Sequence, residues 1–171
     1  MATEWALESN EPSTERAADR PLVLFVDDDR DARTIYPDYL RSMGCRVISA
    51  ANGNAAIEQA LQHRPDVIVM DLAMPQMDGL AATRHLRRHE TTRRVPIIAL
   101  TAMPAARDSA REAGCDAFLA KPCLPELLWW EVRSLLTRMT SGRPLWPRES
   151  AGDLQHSRPA VTTKLPDVIG S

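Results

Sequence analysis

Five short apolar runs punctuate the middle of the chain: Leu22 to Val26, Val47 to Ser49, Val67 to Met70, Ile97 to Leu100 and Ala117 to Leu119. Each is short enough and apolar enough for a strand buried on both faces, as in a parallel sheet. Between these runs the hydrophobic period changes. Ala32, Ile35, Tyr36, Tyr39, Leu40 and Met43 follow the i, i+3, i+4, i+7 spacing of an amphipathic helix, as do Ala56, Ile57, Ala60 and Leu61, and later Leu128, Val132, Leu135, Leu136 and Met139. Stop signals fall where such helices should end: Gly44 after the first, Pro65 after the second, and Gly114 after a fourth that begins near Pro104. Pro37 conflicts with its surroundings, because inside the first helix it deletes a donor and crowds the carbonyl of Arg33. A kink or early break is expected there.

Alternating strands and helices predict an α/β fold, a doubly wound five-stranded parallel sheet with right-handed crossovers and helices on both faces. For a sheet of this size the favoured strand order is 2-1-3-4-5, and ligands bind beyond the carboxyl ends of the strands. With 171 residues the chain has room for one domain with appendages. Residues 1–20 read as a polar, acidic tail, residues 21–140 as the domain, and residues 141–171, with Pro144, Pro147, Pro159 and Pro166, as a second tail expected to be disordered. No apolar segment suits a leader or a membrane span, so a cytoplasmic protein without membrane contact is expected. The 21 basic and 23 acidic residues nearly cancel, which removes any general attraction to nucleic acid. Cys45, Cys115 and Cys123 lack the close pairing of a zinc or redox site and read as reduced thiols.

Chemistry gathers at the strand ends. The first strand runs into Asp27, Asp28 and Asp29, the third into Asp71, the fourth into Thr101 and the fifth into Lys121. Each alone means little, since Asp often caps a helix and Thr often ends a strand. Together they converge on one rim. Carboxylates held close repel one another unless a cation compensates. A hard divalent ion such as Mg²⁺ suits an open acidic cluster. A lysine for phosphoryl oxygens, a hydroxyl donor and a carboxylate nucleophile then describe carboxyl phosphorylation.

Four motifs carry a resemblance: Leu24-Phe25-Val26-Asp27-Asp28-Asp29, Met70-Asp71-Leu72-Ala73-Met74-Pro75-Gln76-Met77-Asp78-Gly79, Ile98-Ala99-Leu100-Thr101-Ala102, and Lys121-Pro122. In this order and spacing the chain resembles the receiver domain of bacterial response regulators, a flavodoxin-like fold, over roughly residues 21 to 140. The resemblance implies that Asp71 is the phosphoacceptor and that Asp28, Asp71 and the backbone carbonyl of Ala73 bind Mg²⁺ directly, with Asp27 acting through a water. It also implies that Thr101 and Lys121 hold the phosphoryl group, that Phe118 is an aromatic switch residue, and that Lys121-Pro122 is cis. A sensor histidine kinase or histidine phosphotransfer protein is then the donor. Output is expected to pass to a downstream protein target, since no helix-turn-helix or catalytic domain is evident. On the residues alone, Phe118 is equally well ordinary strand packing, and Asp78-Gly79 reads as a helix cap followed by a permissive backbone position.

Two other readings compete. A small phosphatase of the haloacid dehalogenase type also uses Asp, Mg²⁺, Thr and Lys, but its nucleophile lies on the first strand, and here Asp29 leads into Arg30-Asp31. A receiver fold kept purely as a non-phosphorylated interaction module is the other, against the fact that every chemical position is filled. The cluster Arg84, Arg87, Arg88, Arg93 and Arg94 reads as a solvated face, and His85 with His89 as surface, so direct DNA binding is not expected. Of Trp129 and Trp130, one is expected in the core and one outside. Leu124, Leu127 and Trp130 are the candidates for a protein-binding face, including a homodimer, beside a shortened loop or fourth helix: only twenty steps separate Thr101 from Lys121.

Overall fold

The structure is a computed structural model that describes residues 20–75 and 77–141. The expected tails, 1–20 and 141–171, lie outside the described residues except for Arg20 and Ser141, as does Gln76 of the second motif. Strands β1 (Leu22–Val26), β2 (Arg46–Ala50), β3 (Val67–Met70), β4 (Ile97–Thr101) and β5 (Ala117–Ala120) alternate with helices α1 (Ala32–Ser42), α2 (Gly53–His63), α3 (Gly79–Arg88), α4 (Arg107–Ala113) and α5 (Pro125–Ser141). All five strands are parallel, in the order β2-β1-β3-β4-β5. This is the sheet the apolar runs predict, with β2, β4 and β5 each slightly longer than the run that marks it.

The two-residue period of the strands divides the interior into two cores. Leu24, Val26, Ile68, Met70, Ile97 and Ala99 pack with Ala56 and Ala60 of α2, Ala82 and Leu86 of α3 and Ala110 of α4. Val23, Phe25, Val67, Val69, Ile98 and Leu100 face the other way, against Leu40 of α1 and Leu128, Val132 and Leu135 of α5. Burial of these side chains is the main drive for the fold, each valine, leucine, isoleucine, methionine or phenylalanine among them worth about 1.5–3 kcal/mol. Trp129 packs against the second core, while Trp130 is 68% exposed.

The break expected at Pro37 does not occur. Helix α1 runs through it, and the proline is buried. Its ring removes the donor that would pair with the Arg33 carbonyl, but it lies on the face turned to the sheet, so its burial offsets part of that loss. The large apolar side chains left exposed here are instead Ile35 and, just past the end of α1, Met43. The fourth helix is short, as the spacing predicts: one 3₁₀ turn (Pro104–Ala106) precedes the seven residues of α4. It ends at Gly114, whose φ of 103° is left-handed and needs glycine. Cys45, Cys115 and Cys123 are free and buried, and burial pushes the Cys115 thiol up to about 11, which leaves it unreactive.

Arg87 departs from the expected solvated face. Its Nη2 donates to Asp116 Oδ2 at 2.6 Å, Nε to the Gly114 carbonyl at 2.8 Å, and Nη1 to the carbonyls of Val95 and Arg93 at 2.6 and 3.1 Å. The same Asp116 oxygen accepts the Ile97 N–H at 2.8 Å. One guanidinium therefore ties the end of α3 to the entrances of β4 and β5. Burial raises the Asp116 carboxyl above its ordinary value despite Arg87, so the pair serves as a clamp more than as a source of net energy. Arg87→Ala is expected to lower unfolding free energy by about 2–3 kcal/mol, since charged hydrogen bonds are broken and carbonyls left unpaired. Arg87→Lys, which lacks the planar fork, should recover less than half. Urea unfolding checks both, and an unchanged midpoint for the alanine variant would show that the clamp is idle.

Candidate functional site

The parallel ladder carries the acidic residues to one place. Past the strand ends it continues one step, with the Asp27 N–H donating to the Ala50 carbonyl at 3.1 Å and the Asp71 N–H to the Val26 carbonyl at 2.9 Å. Adjacent strands β1 and β3 thus deliver Asp27 and Asp71 side by side. On the far side, the Lys121 N–H donates to the Thr101 carbonyl at 2.8 Å. Lys121 leaves the edge strand and its long side chain spans back over the sheet, placing Nζ 2.6 Å from Asp27 Oδ2 and 2.7 Å from Asp71 Oδ2.

Asp27 is fully buried and Asp71 nearly so, whereas Asp28 is exposed. Ligand oxygens of the three lie within 4.8 Å of one another. Burial raises the Asp27 carboxyl above its ordinary value, against the lowering effect of the Lys121 ammonium and the Asp29 N–H. Lys121 shows the opposite balance: burial would lower it, but hydrogen bonds to Asp27 and Asp71 hold the ammonium above its ordinary value. Formally, three carboxylates face one ammonium. The uncompensated charge and the hard oxygen donors fit a small dication such as Mg²⁺. Among the described residues this is the one group of three or more metal-competent side chains. His85 and His89 form no such group, and the His89 ring instead pairs with the Thr91 hydroxyl at 2.9 Å.

The supporting loops are fixed by their own hydrogen bonds. Asp29 caps α1, its Oδ1 accepting the N–H groups of Asp31 and Ala32 at 2.7 and 2.9 Å, and these bonds hold its carboxyl below its ordinary value. Asp71 Oδ1 accepts the Ala73 N–H at 3.0 Å. Thr101 is buried at the end of β4, and its hydroxyl accepts the Met103 N–H at 3.2 Å. The β4–β5 register pairs Thr101 with Ala120 and Ala99 with Phe118, so Thr101 and Phe118 share one face of the sheet. Phe118 is half-buried, with the Arg107 guanidinium 5.0 Å from its ring centroid, a cation–π contact. Lys121-Pro122 is cis, as expected.

Two residues that belong to none of the four motifs brace the site. Arg33 Nη1 donates to the carbonyls of both Asp27 and Asp28. The Tyr36 hydroxyl donates to the Cys123 carbonyl at 2.7 Å, just beyond the cis bond, and its ring stacks on Phe25. Asp78 caps α3, accepting the Ala81 N–H at 2.7 Å. Gly79 needs to be glycine for lack of space, not for a special φ: a Cβ there would run into the Asp71 carbonyl and lie 2.8 Å from the Leu72 Cα. Leu124, Leu127 and Trp130 are 65%, 56% and 68% exposed. Leu124 immediately precedes α5, and Leu127 and Trp130 lie in its first two turns.

A doubly wound sheet with this acidic cluster and lysine at its carboxyl edge defines a receiver, a signalling switch. Residues 23–133 match the response regulator receiver domain, and the chain belongs to that family. It is 34% identical over 102 residues to the polar-differentiation response regulator DivK of Brucella anthropi, covering 58% of this chain and 83% of the relative. Among solved structures, the receiver domain of the sensor histidine kinase PA1611 from Pseudomonas aeruginosa, with magnesium in its active-site cleft, is 38% identical. Its TM-score is 0.65, over 69% of this chain and 98% of that one. Chemotaxis protein CheY4 of Vibrio cholerae has a TM-score of 0.65 at 30% identity, over 68% and 98%. Among the described residues no helix is long and apolar enough to cross a membrane.

The Gly79 contact gives a direct test. Gly79→Ala is expected to destabilise the fold by about 1–3 kcal/mol through overpacking. The amide resonances of Asp71 and Leu72 should move more than those of the α3 surface. A variant as stable as wild type with unmoved resonances would show that the α3–β3 junction has slack.

Proposed function

We propose that Asp71 accepts a phosphoryl group from a phosphohistidine on a sensor histidine kinase or phosphotransfer protein, and that the resulting change is read by another protein. The observation that carries this reading is the Lys121 ammonium bridging Asp27 and Asp71 beside exposed Asp28. A carboxylate oxygen of Asp71 attacks phosphorus, the phosphorus–nitrogen bond breaks, and the imidazole leaves with a proton. Asp28, Asp71 and the Ala73 carbonyl would hold Mg²⁺, with Asp27 acting through a water. When bound, the ion offsets charge between the acidic cluster and the incoming phosphoryl oxygens. Lys121 supplies the mobile cation for those oxygens and Thr101 a hydroxyl donor. Because Asp27 already engages Lys121, the lysine is held ready over the acceptor instead of searching for it.

Signal output follows from the face that Thr101 and Phe118 share. Thr101 turning toward the phosphoryl group vacates space for Phe118 to turn inward, which alters the surface of α4, β5 and α5. Leu124, Leu127 and Trp130 border that surface and would anchor a downstream protein or a second copy of the chain. Such coupling needs an element with two states. Phe118 qualifies: it packs against the first core but is only half-buried, with the Arg107 guanidinium over its ring. A cytoplasmic location fits a phosphohistidine donor.

Asp71→Asn should abolish acid-stable, base-labile labelling by acetyl phosphate or a kinase, and chelation of Mg²⁺ should do the same to wild type. Persistent labelling of the asparagine variant would move the acceptor elsewhere. For output, beryllofluoride should change partner binding or dimerisation in wild type. Phe118→Ala should lose that response, and Trp130→Ala should weaken the activated complex at least about fivefold, as for an interface anchor. Equal responses in all three folded proteins would refute the route from Asp71 to this face.

A further inference from the structure

Asp28 occupies an unusual position in the cluster. It is exposed, and among the described residues its carboxylate makes no hydrogen bond or ion pair, whereas Asp27 and Asp71 are each bonded to Lys121 and to a backbone N–H. The direction of the Asp28 side chain is therefore set by its backbone. The N–H groups of Asp27 and Asp29 on either side are tied to the Ala50 carbonyl and to Asp27 Oδ1, and the two carbonyls between them are held by Arg33, whose Nη1 lies 2.7 Å from the Asp27 carbonyl and 2.7 Å from the Asp28 carbonyl. A terminal guanidinium nitrogen carries two N–H bonds, and here two carbonyls receive them. Both carbonyls are thereby tied to α1. Asp29, as cap, fixes the start of the same helix, so Arg33 reaches the loop from a rigid base one turn away.

From this geometry we infer that Arg33 is a positioning residue for the divalent cation, acting through the backbone of Asp27 and Asp28 and not through its charge. The inference rests on the phosphoacceptor reading above. The sign of the effect separates the two possible roles. A positive charge beside a cation site opposes binding by Coulomb repulsion. If charge dominated, removing it would tighten Mg²⁺ binding. If the clamp dominates, removing it leaves both carbonyls unheld and the Asp28–Asp29 peptide tied only through the Asp29 N–H, and the loosened Asp28 carboxylate binds less well. Loss of an outer support of this kind typically costs a metal site about 10–100-fold in affinity.

The experiment is Mg²⁺ titration by calorimetry on the full chain, for wild type, Arg33→Gln, Arg33→Lys and Arg41→Gln. Arg41 lies on the same helix, pairs with Asp38 and makes no contact with the acidic loop, so it controls for loss of charge. Arg33→Gln is expected to raise the Mg²⁺ dissociation constant about tenfold. Arg33→Lys, which keeps the charge but not the planar donor group, should also raise it severalfold, and Arg41→Gln should leave it unchanged. Melting temperatures without metal identify any variant that fails to fold, in which case the lysine variant carries the comparison. Maximal phosphorylation at saturating Mg²⁺ should stay near wild type, with only the half-saturating concentration moved. Wild type that binds no Mg²⁺ would sink the phosphoacceptor reading and this inference with it. Wild type that binds, with either Arg33 variant binding as tightly or more tightly, would overturn this inference alone.

Discussion

The arrangement of this protein depends on holding Asp27 and Asp71 against each other in a place almost without water. Two buried carboxylates repel, and burial alone already raises Asp27. The Lys121 ammonium, 2.6 and 2.7 Å from the two, makes that proximity tolerable. Such a pair contributes little net stability, because desolvation consumes most of the Coulomb gain. It does fix geometry. Lys121 comes from the edge strand and Asp27 from three strands away, so the ion pair crosses the carboxyl end of the sheet and ties its order to the shape of the site.

Rigid backbone on every side maintains that arrangement. The ladder bonds of Asp27 and Asp71 continue the strands one residue beyond the sheet. Gly79 lets α3 approach so closely that its missing Cβ would meet the Asp71 carbonyl. Arg33 and Tyr36, three residues apart on α1, reach the acidic loop and the loop after Lys121. Three consecutive aspartates thereby acquire three environments: Asp27 is buried and paired, Asp28 is exposed, and Asp29 is spent on capping α1. Identical side chains in sequence become different chemical groups because the chain turns from strand to helix beneath them.

The opposite end of the sheet is held with equal care and no sign of chemistry. Arg87 joins α3 to the entrances of β4 and β5, below the segment in which Thr101 and Phe118 lie. Between these fixed ends, α4 is seven residues long and contributes only Ala110 and Ala113 to the buried set. Segments with so little buried apolar surface are the ones that rearrange at low cost. The proposed switch thus sits beside this lightly packed helix, with Phe118 resting on the first core and the Arg107 guanidinium over its ring.

The apolar runs by themselves determined the strands, the parallel sheet and the rim on which Asp27, Asp28, Asp71, Thr101 and Lys121 meet. A strand's pleat and a doubly wound topology leave little freedom in where its carboxyl end points. The helical periods likewise located the first, second and last helices, while Pro104, Gly114 and the distance along the chain from Thr101 to Lys121 marked the short fourth. What only the tertiary structure decided were the partners of long side chains and the outcome of local conflicts. Pro37 was tolerated because its ring found the core. Ile35 and Met43 were left outside although their spacing matched the apolar face. Trp129 turned inward and Trp130 outward. Arg33, Tyr36 and Arg87 look in the sequence like ordinary helix positions, and each acts on backbone carbonyls. A carbonyl has no residue type, so the pattern of side chains carries no trace of which ones a folded chain will offer to a guanidinium or a phenol.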